Sequence, residues 1–158
     1  MMRDPRAPRP PASRTELHVR FADVDMMQVV HHSAYLHWFE QIRFRFMREV
    51  LGVQFTQLVA AGIALPLTGC ELAYKSAFRF GDTPVGYARL ELFPQARFRL
   101  HYAVYNNDTG APATTGTTTH CFLGRDFQLL PKTPALFADA LERVRQAHPE
   151  CLLVPEAP

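Results

Sequence analysis

An α+β domain, in which an antiparallel sheet curls around one central helix, is the fold class this sequence predicts. Three observations lead there. Apolar and polar residues alternate over Thr15 to Ala22 and repeatedly from Glu71 to Gly124, the period of half-buried strands. Between these stretches, Ala34 to Val50 carries apolar residues at helical spacing, and a helix so apolar needs cover over much of its surface. Gly81-Asp82-Thr83-Pro84 and Asn106-Asn107-Asp108-Thr109-Gly110 punctuate the later strands with turn chemistry.

Each element follows from its own residues. Leu17, Val19 and Phe21 alternate with Glu16, His18 and Arg20, predicting a first strand over Thr15 to Ala22. In the helix, Tyr35, Phe39, Ile42, Phe46 and Val50 form the apolar stripe, and His37, Gln41, Arg45 and Arg48 a polar one. Ser33 is the expected N-cap and Gly52 the expected stop. A shorter helix is expected over Gln54 to Ala61. From Glu71, Leu72, Tyr74, Phe78 and Phe80 alternate with Glu71, Lys75 and Arg79 as a strand leading to the Gly81 turn. Val85 to Phe93 is the next strand. After the Pro94-Gln95 break, Phe98, Leu100, Tyr102 and Val104 alternate with Arg97, Arg99 and His101. Ala113 to Gly124 makes the last strand, and Pro134 to Ala147 a terminal amphipathic helix.

The outer segments read differently. Residues 1–14 hold four of the thirteen prolines and only small or terminal apolar side chains, the composition of a disordered tail. Residues 148–158 are also expected to be irregular, with Leu152, Leu153 and Val154 available to dock. That leaves one domain over residues 15–147, large enough for a sizeable core at 47% hydrophobic content. A net charge of +2, spread along the chain, lacks the basic stripe that nucleic-acid binding needs. No apolar run approaches the roughly 20 residues of a membrane span, and the start lacks a secretory core, so a soluble cytoplasmic protein is expected. Three widely spaced cysteines, Cys70, Cys121 and Cys151, suggest neither a disulfide framework nor a metal knuckle.

Chemistry is most concentrated at the junction Phe21 to Glu40, where Asp23, Asp25, His31 and His32 lead into the helix. A carboxylate just before a helix start lies near unpaired N–H groups and the positive end of the dipole, a setting that keeps it ionised and can hold a developing oxyanion. Asp23-Val24-Asp25, then Val29-Val30-His31-His32-Ser33-Ala34-Tyr35, then Phe39-Glu40 resembles the hotdog-fold acyl-CoA thioesterases of the 4-hydroxybenzoyl-CoA thioesterase-like group, including its YbgC-like branch. The resemblance covers about residues 15 to 140. It implies a hotdog fold, a five- or six-stranded sheet wrapped around the long helix, and a homodimer or homotetramer joined edge to edge with active sites between subunits.

The resemblance also assigns roles. Asp25 stands at the position of the catalytic carboxylate, nucleophile or general base, and His32 at that of a functional histidine. Read from their own positions, Asp23 is expected to orient the loop, and Glu40 either to pair with Arg43 at i+3 or to stand as a second carboxylate near the site. His31 has no matching role, and no metal is expected. Met27, Tyr35 and Phe39 are candidate walls for the acyl group. Lys75 and Arg79, with Arg97, Arg99 and Arg125, are candidate contacts for the coenzyme A phosphates. Two departures stand out: Met26-Met27-Gln28 replaces a Gly-rich stretch after the catalytic Asp, and Phe21 replaces the tyrosine of the YbgC-like branch.

The activity implied is hydrolysis of an acyl-CoA, or of an acyl carrier protein thioester, without a cofactor, coenzyme A being part of the substrate. A noncatalytic acyl-CoA-binding or regulatory domain is the alternative of another class, and hydratase or dehydratase chemistry the alternative enzyme.

Overall fold

The computed structural model describes residues 9–153. Its elements are β1 (Thr15–Glu16), α1 (Ala34–Arg45), α2 (Phe55–Ala61), β2 (Leu67–Tyr74), β3 (Pro84–Phe93), β4 (Arg97–Asn106), β5 (Pro112–Cys121), α3 (Ala135–Ala147) and β6 (Leu152–Leu153). The strands form one sheet in the order β1-β3-β4-β5-β2, antiparallel along that path, with β6 parallel to β3 at Leu90 and Glu91.

α1 lies directly on the sheet because two strand positions lack a side chain. A Cβ on Gly86 of β3 would collide with Ile42, and one on Gly116 of β5 would collide with Phe39. The space so freed lets the Phe39 ring stack on Tyr102 at 4.3 Å between centroids. Tyr35, Trp38, Phe39, Ile42 and Phe46 are buried along this seam, each contributing roughly 1.5–3 kcal/mol by burial. α3 adds Phe137, Ala140, Leu141 and Val144 to the same core.

The helix runs past its α portion. At Phe46 it widens into a π-helical segment, Phe46–Leu51, and stops at Gly52, whose left-handed backbone (φ +69°) ends it as expected. Ser33 takes the N-cap position, as expected, but does not cap with its side chain. Its backbone is already helical, and its side chain makes no cap bond, because its hydroxyl is turned to His31 Nδ1 at 2.8 Å.

Four expected boundaries move, the last strand ending at Cys121 rather than Gly124. The first strand ends at Glu16. Leu17 alone of the alternating set is buried, while Phe21 is 83% exposed and begins a 3-10 turn, Phe21–Asp23, held by Asp23 and Arg20. β2 begins at Leu67, four residues earlier than expected, and ends at Tyr74, where Lys75 N–H and Ser76 N–H both donate to the single carbonyl of Ala113. Phe78 and Phe80 therefore lie outside the strand, one buried and the other exposed. Near the ends, residues 1–8 and 154–158 lie outside the described residues, including much of the expected tail and Val154. Pro11–Ser13, in the rest of that tail, is a 3-10 turn. Its buried Ser13 hydroxyl accepts the Ala88 N–H and donates to the Pro10 carbonyl. Leu152 and Leu153 dock as β6, so the stretch after α3 is regular at that point. Cys121 and Cys151 are buried and Cys70 exposed, all three as free thiols.

Candidate active site

The D-x-D segment and the start of α1 form one closed loop. Val24 bridges Val30, Asp25 N–H donates to the Val29 carbonyl (3.0 Å), and His31 N–H donates to the Asp23 carbonyl (2.7 Å). Val30 N–H donates to the Phe78 carbonyl at 2.8 Å, tying the loop to the segment after β2. The turn closes with Gln28 at φ +62°, a left-handed conformation at the place where the Gly-rich stretch is replaced. The chain thus makes the tight turn without glycine and accepts the strain.

The two carboxylates of the motif do different work. Asp23 is 6% exposed; its oxygens accept the Arg20 backbone N–H at 2.9 Å and the Arg20 guanidinium at 2.7 Å. The Arg20 side chain holds its carboxyl below the usual carboxylate range, the effect of burial being opposite and smaller. Every oxygen of Asp23 is occupied with holding the loop, which is the orienting role expected of it. Asp25 is half-buried, and only Oδ1 is used, accepting the Met27 N–H at 2.8 Å. Oδ2 has no intramolecular partner among the described residues.

The helix start is capped by a residue that sequence reasoning passed over. His31 Nδ1 accepts the Ser33 N–H (3.2 Å), and the His31 carbonyl accepts the Ala34 N–H (3.0 Å). Nδ1 is therefore the unprotonated ring nitrogen. Histidine is not a common cap, so nothing in its spacing signals this. His32 sets its ring against His31 at 4.0 Å between centroids, tilted by 35°, and its carbonyl accepts the Tyr74 hydroxyl at 3.1 Å. The N–H groups of Val30, His31, Ser33 and Ala34 are all taken up; that of His32 has no intramolecular partner among the described residues. A free carboxylate oxygen and a free N–H thus lie on the same closed loop, at the positive end of α1.

An apolar rim surrounds this loop. Phe21, Met26, Met27 and Phe80 are exposed, and Phe21 meets Phe80 edge to face at 5.9 Å. Phe21, in the position of the absent tyrosine, offers an apolar ring to this rim and no hydroxyl. Of the candidate walls, Met27 lies on the surface, whereas Tyr35 and Phe39 are 2% and 1% exposed and face the core of the protomer. Tyr35 packs edge to face on Trp38 and Tyr74.

The candidate cations divide as well. Lys75, Arg79 and Arg97 are exposed. Arg79 N–H donates to Asp82 in the Gly81 turn. Arg99 is held by Thr119 (3.2 Å) and Glu91 (3.9 Å), and Arg125 donates to the Ala60 carbonyl. Glu40 sits 3.6 Å from Arg43, the ion pair expected at i+3. Among the described residues no helix is long and apolar enough to cross a membrane.

Comparison with known proteins agrees with this architecture. YneP of Bacillus subtilis, whose name provisionally calls it an acyl-CoA thioesterase, is 26% identical over 72% of this chain and 81% of its own length. The crystal structure of a DHNA-CoA thioesterase from Staphylococcus aureus superposes with a TM-score of 0.75 at 27% identity, covering 87% of this chain and 93% of that one. SAV2348 from the same organism, solved in complex with CoA, shares the fold at a TM-score of 0.76 and 15% identity, over 92% of this chain and 88% of that one. The family model described as the Thioesterase-like superfamily matches residues 19–141, from just before the D-x-D loop to within α3. With that match over most of its length, and a six-stranded sheet packed on one long helix as in its thioesterase neighbours, the chain is a hotdog-fold member of the Thioesterase-like superfamily.

Proposed function

We propose that this thioester hydrolase cleaves acyl-CoA to the free acid and coenzyme A, with Asp25 as the reacting carboxylate. The observation that carries the reading is that Asp25 Oδ2 and the His32 N–H lie on one closed loop, each without an intramolecular partner among the described residues. The acyl carbonyl oxygen takes the His32 N–H, where the positive end of α1 favours negative charge. As general base, Oδ2 removes a proton from water as its oxygen attacks the carbonyl carbon. The tetrahedral oxyanion then collapses, the C–S bond breaks, and the thiolate takes up the proton. As nucleophile, Oδ2 attacks instead, expels the thiolate and forms a mixed anhydride that water opens. The Met27 N–H on Oδ1 fixes the carboxylate in either case. The His32 ring, packed against His31, serves as a second contact to the carbonyl.

The exposed rim of Phe21, Met26, Met27 and Phe80 supplies the first apolar contacts of the acyl group, and Lys75 and Arg79 the cationic contacts of the nucleotide. β2 is the natural place for a second copy. It ends the sheet, exposes residues on both faces, and its Tyr74 touches His32, so edge-to-edge pairing there would set two sites beside the junction.

Free-thiol release from short, medium, long and aromatic acyl-CoAs tests the reading, with wild type and Asp25→Asn compared at matched folded concentrations. Turnover by wild type and its loss in Asp25→Asn is the expected result. No turnover across the panel with CoA binding intact would favour a binding domain. His32→Ala should slow hydrolysis, whereas unchanged rates would confine the role of His32 to its backbone.

A further inference from the structure

A second feature lies at the other end of the helix. Arg43 is about 15 Å along the axis from Ser33 at about 1.5 Å per residue. Here the π-helical widening and α2 enclose a pocket of about 580 Å³, lined mainly by Phe44, Met47, Val53, Phe55, Leu58 and Val59. Two cations, Arg43 and Arg48, also line it, and none of its lining residues is acidic.

Arg43 is supported from beneath. His120, fully buried on β5, lies 3.2 Å from Arg43 Nη1 through Nε2, and its Nδ1 lies 3.4 Å from the Leu65 carbonyl. The same Nη1 lies 3.4 Å from Nδ1, so the guanidinium, which only donates, rests against both nitrogens of the ring. Thr118 Oγ1 lies 2.9 Å from the same Nε2 and 2.7 Å from the Tyr102 hydroxyl, completing a buried chain under the pocket. Burial, and then the Arg43 charge, lower the His120 pKa to about 4. A neutral imidazole positions Arg43 without cancelling its charge. Glu40 approaches the guanidinium at 3.6 Å from the exposed side, and Arg48 is paired with Glu49 on the surface. An apolar pocket whose one buttressed polar wall is a guanidinium suits an aliphatic chain that ends in an anion.

We infer that the pocket between the π-helical end of α1 and α2 binds a medium-length aliphatic chain by its apolar walls and the carboxylate at its end by Arg43. Such a carboxylate has two sources: a free fatty acid, or the far end of an ω-carboxyacyl thioester. Binding to this pocket does not depend on the Asp25 chemistry, so the two readings fail separately.

Isothermal titration of the full chain with decanoate and with decanol provides the test. Decanoate should bind more tightly than decanol. Arg43→Gln should weaken decanoate by about tenfold or more while leaving decanol little changed, and Arg43→Lys should recover part of the loss. Val59→Trp alters an exposed wall residue, so it preserves the fold; by filling the pocket it should abolish both. Hydrolysis of decanoyl-CoA and its ω-carboxy analogue separates the sources. A preference for the ω-carboxy substrate that Arg43→Gln removes assigns the pocket to the acyl end, and decanoate binding without such a preference assigns it to a free acid. No binding of decanoate, or binding indifferent to both Arg43→Gln and Val59→Trp, overturns the inference.

Discussion

The two ends of α1 use polar groups in opposite ways. At its start, Asp23, Arg20 and His31 take up many of the local donors and acceptors, and Asp25 Oδ2 and the His32 N–H are among those left over on an open, apolar-rimmed loop. At its far end, His120, Thr118 and Tyr102 are buried beneath a pocket and hold one cation, Arg43, at its wall. The first end is set mainly by short-range bonds, with one each added from Tyr74 and Phe78; the second needs β5 to meet α1 across 77 residues of chain. That difference governs both what a mutation does and what a sequence reveals.

The far end should be the more fragile. Phe46→Ala, which empties a fully buried site at the start of the π segment, should cost about 3–5 kcal/mol in chemical denaturation. A loss below about 1 kcal/mol would mean that this end of the core is loosely packed.

Acid separates the two ends by pH. Because His120 is neutral when folded and free to charge when unfolded, its stabilisation is complete above the ordinary histidine value of 6.5. It is lost progressively as pH falls to about 4. The decline should be of order 2–3 kcal/mol by denaturation at stepped pH and should vanish in His120→Gln. Asp23 works in a lower window: its carboxyl is lowered, so its contribution is present above the ordinary value of 3.8 and is lost only as pH falls further. A single transition below pH 4, with none between 6.5 and 4, would break this distinction.

The start of the helix should respond more weakly. Asp23→Asn keeps the shape but removes the charge that accepts from Arg20, at about 1–2 kcal/mol. Gln28→Gly should act in the other direction, stabilising by up to about 1 kcal/mol because glycine takes φ +62° without strain. A destabilised Gln28→Gly would show that the glutamine side chain, rather than the turn, is what matters there.

These contrasts also explain how far the sequence could be read. The β3–β4 hairpin, the Asn106–Gly110 turn, the Gly52 stop, α3 and the Glu40–Arg43 pair rest on local patterns, and all were legible. β1 was overextended because Leu17, Val19 and Phe21 alternate correctly, yet Asp23 and Arg20 turn the chain out of the sheet. The capping role of His31 had no signal, since a histidine cap is set by rotamer rather than by spacing. Nothing local marks the π segment either, or the meeting of Arg43 with His120, which depends on the register of β5. At the candidate site, the positions of Asp25 and His32 came from the motif. The free state of Oδ2 and of the His32 N–H became visible only once the partners of the groups around them were traced.

The central claim is that the two aspartates of one motif divide structure from chemistry, and the most direct test is kcat per folded molecule for Asp23→Asn and Asp25→Asn on the best acyl-CoA. Asp25→Asn should lose about 10²–10⁴ in kcat with its melting temperature nearly unchanged, and Asp23→Asn should lose melting temperature while keeping most of its kcat. Full turnover in Asp25→Asn, or equal loss of turnover in both variants at equal folded fraction, would contradict the account.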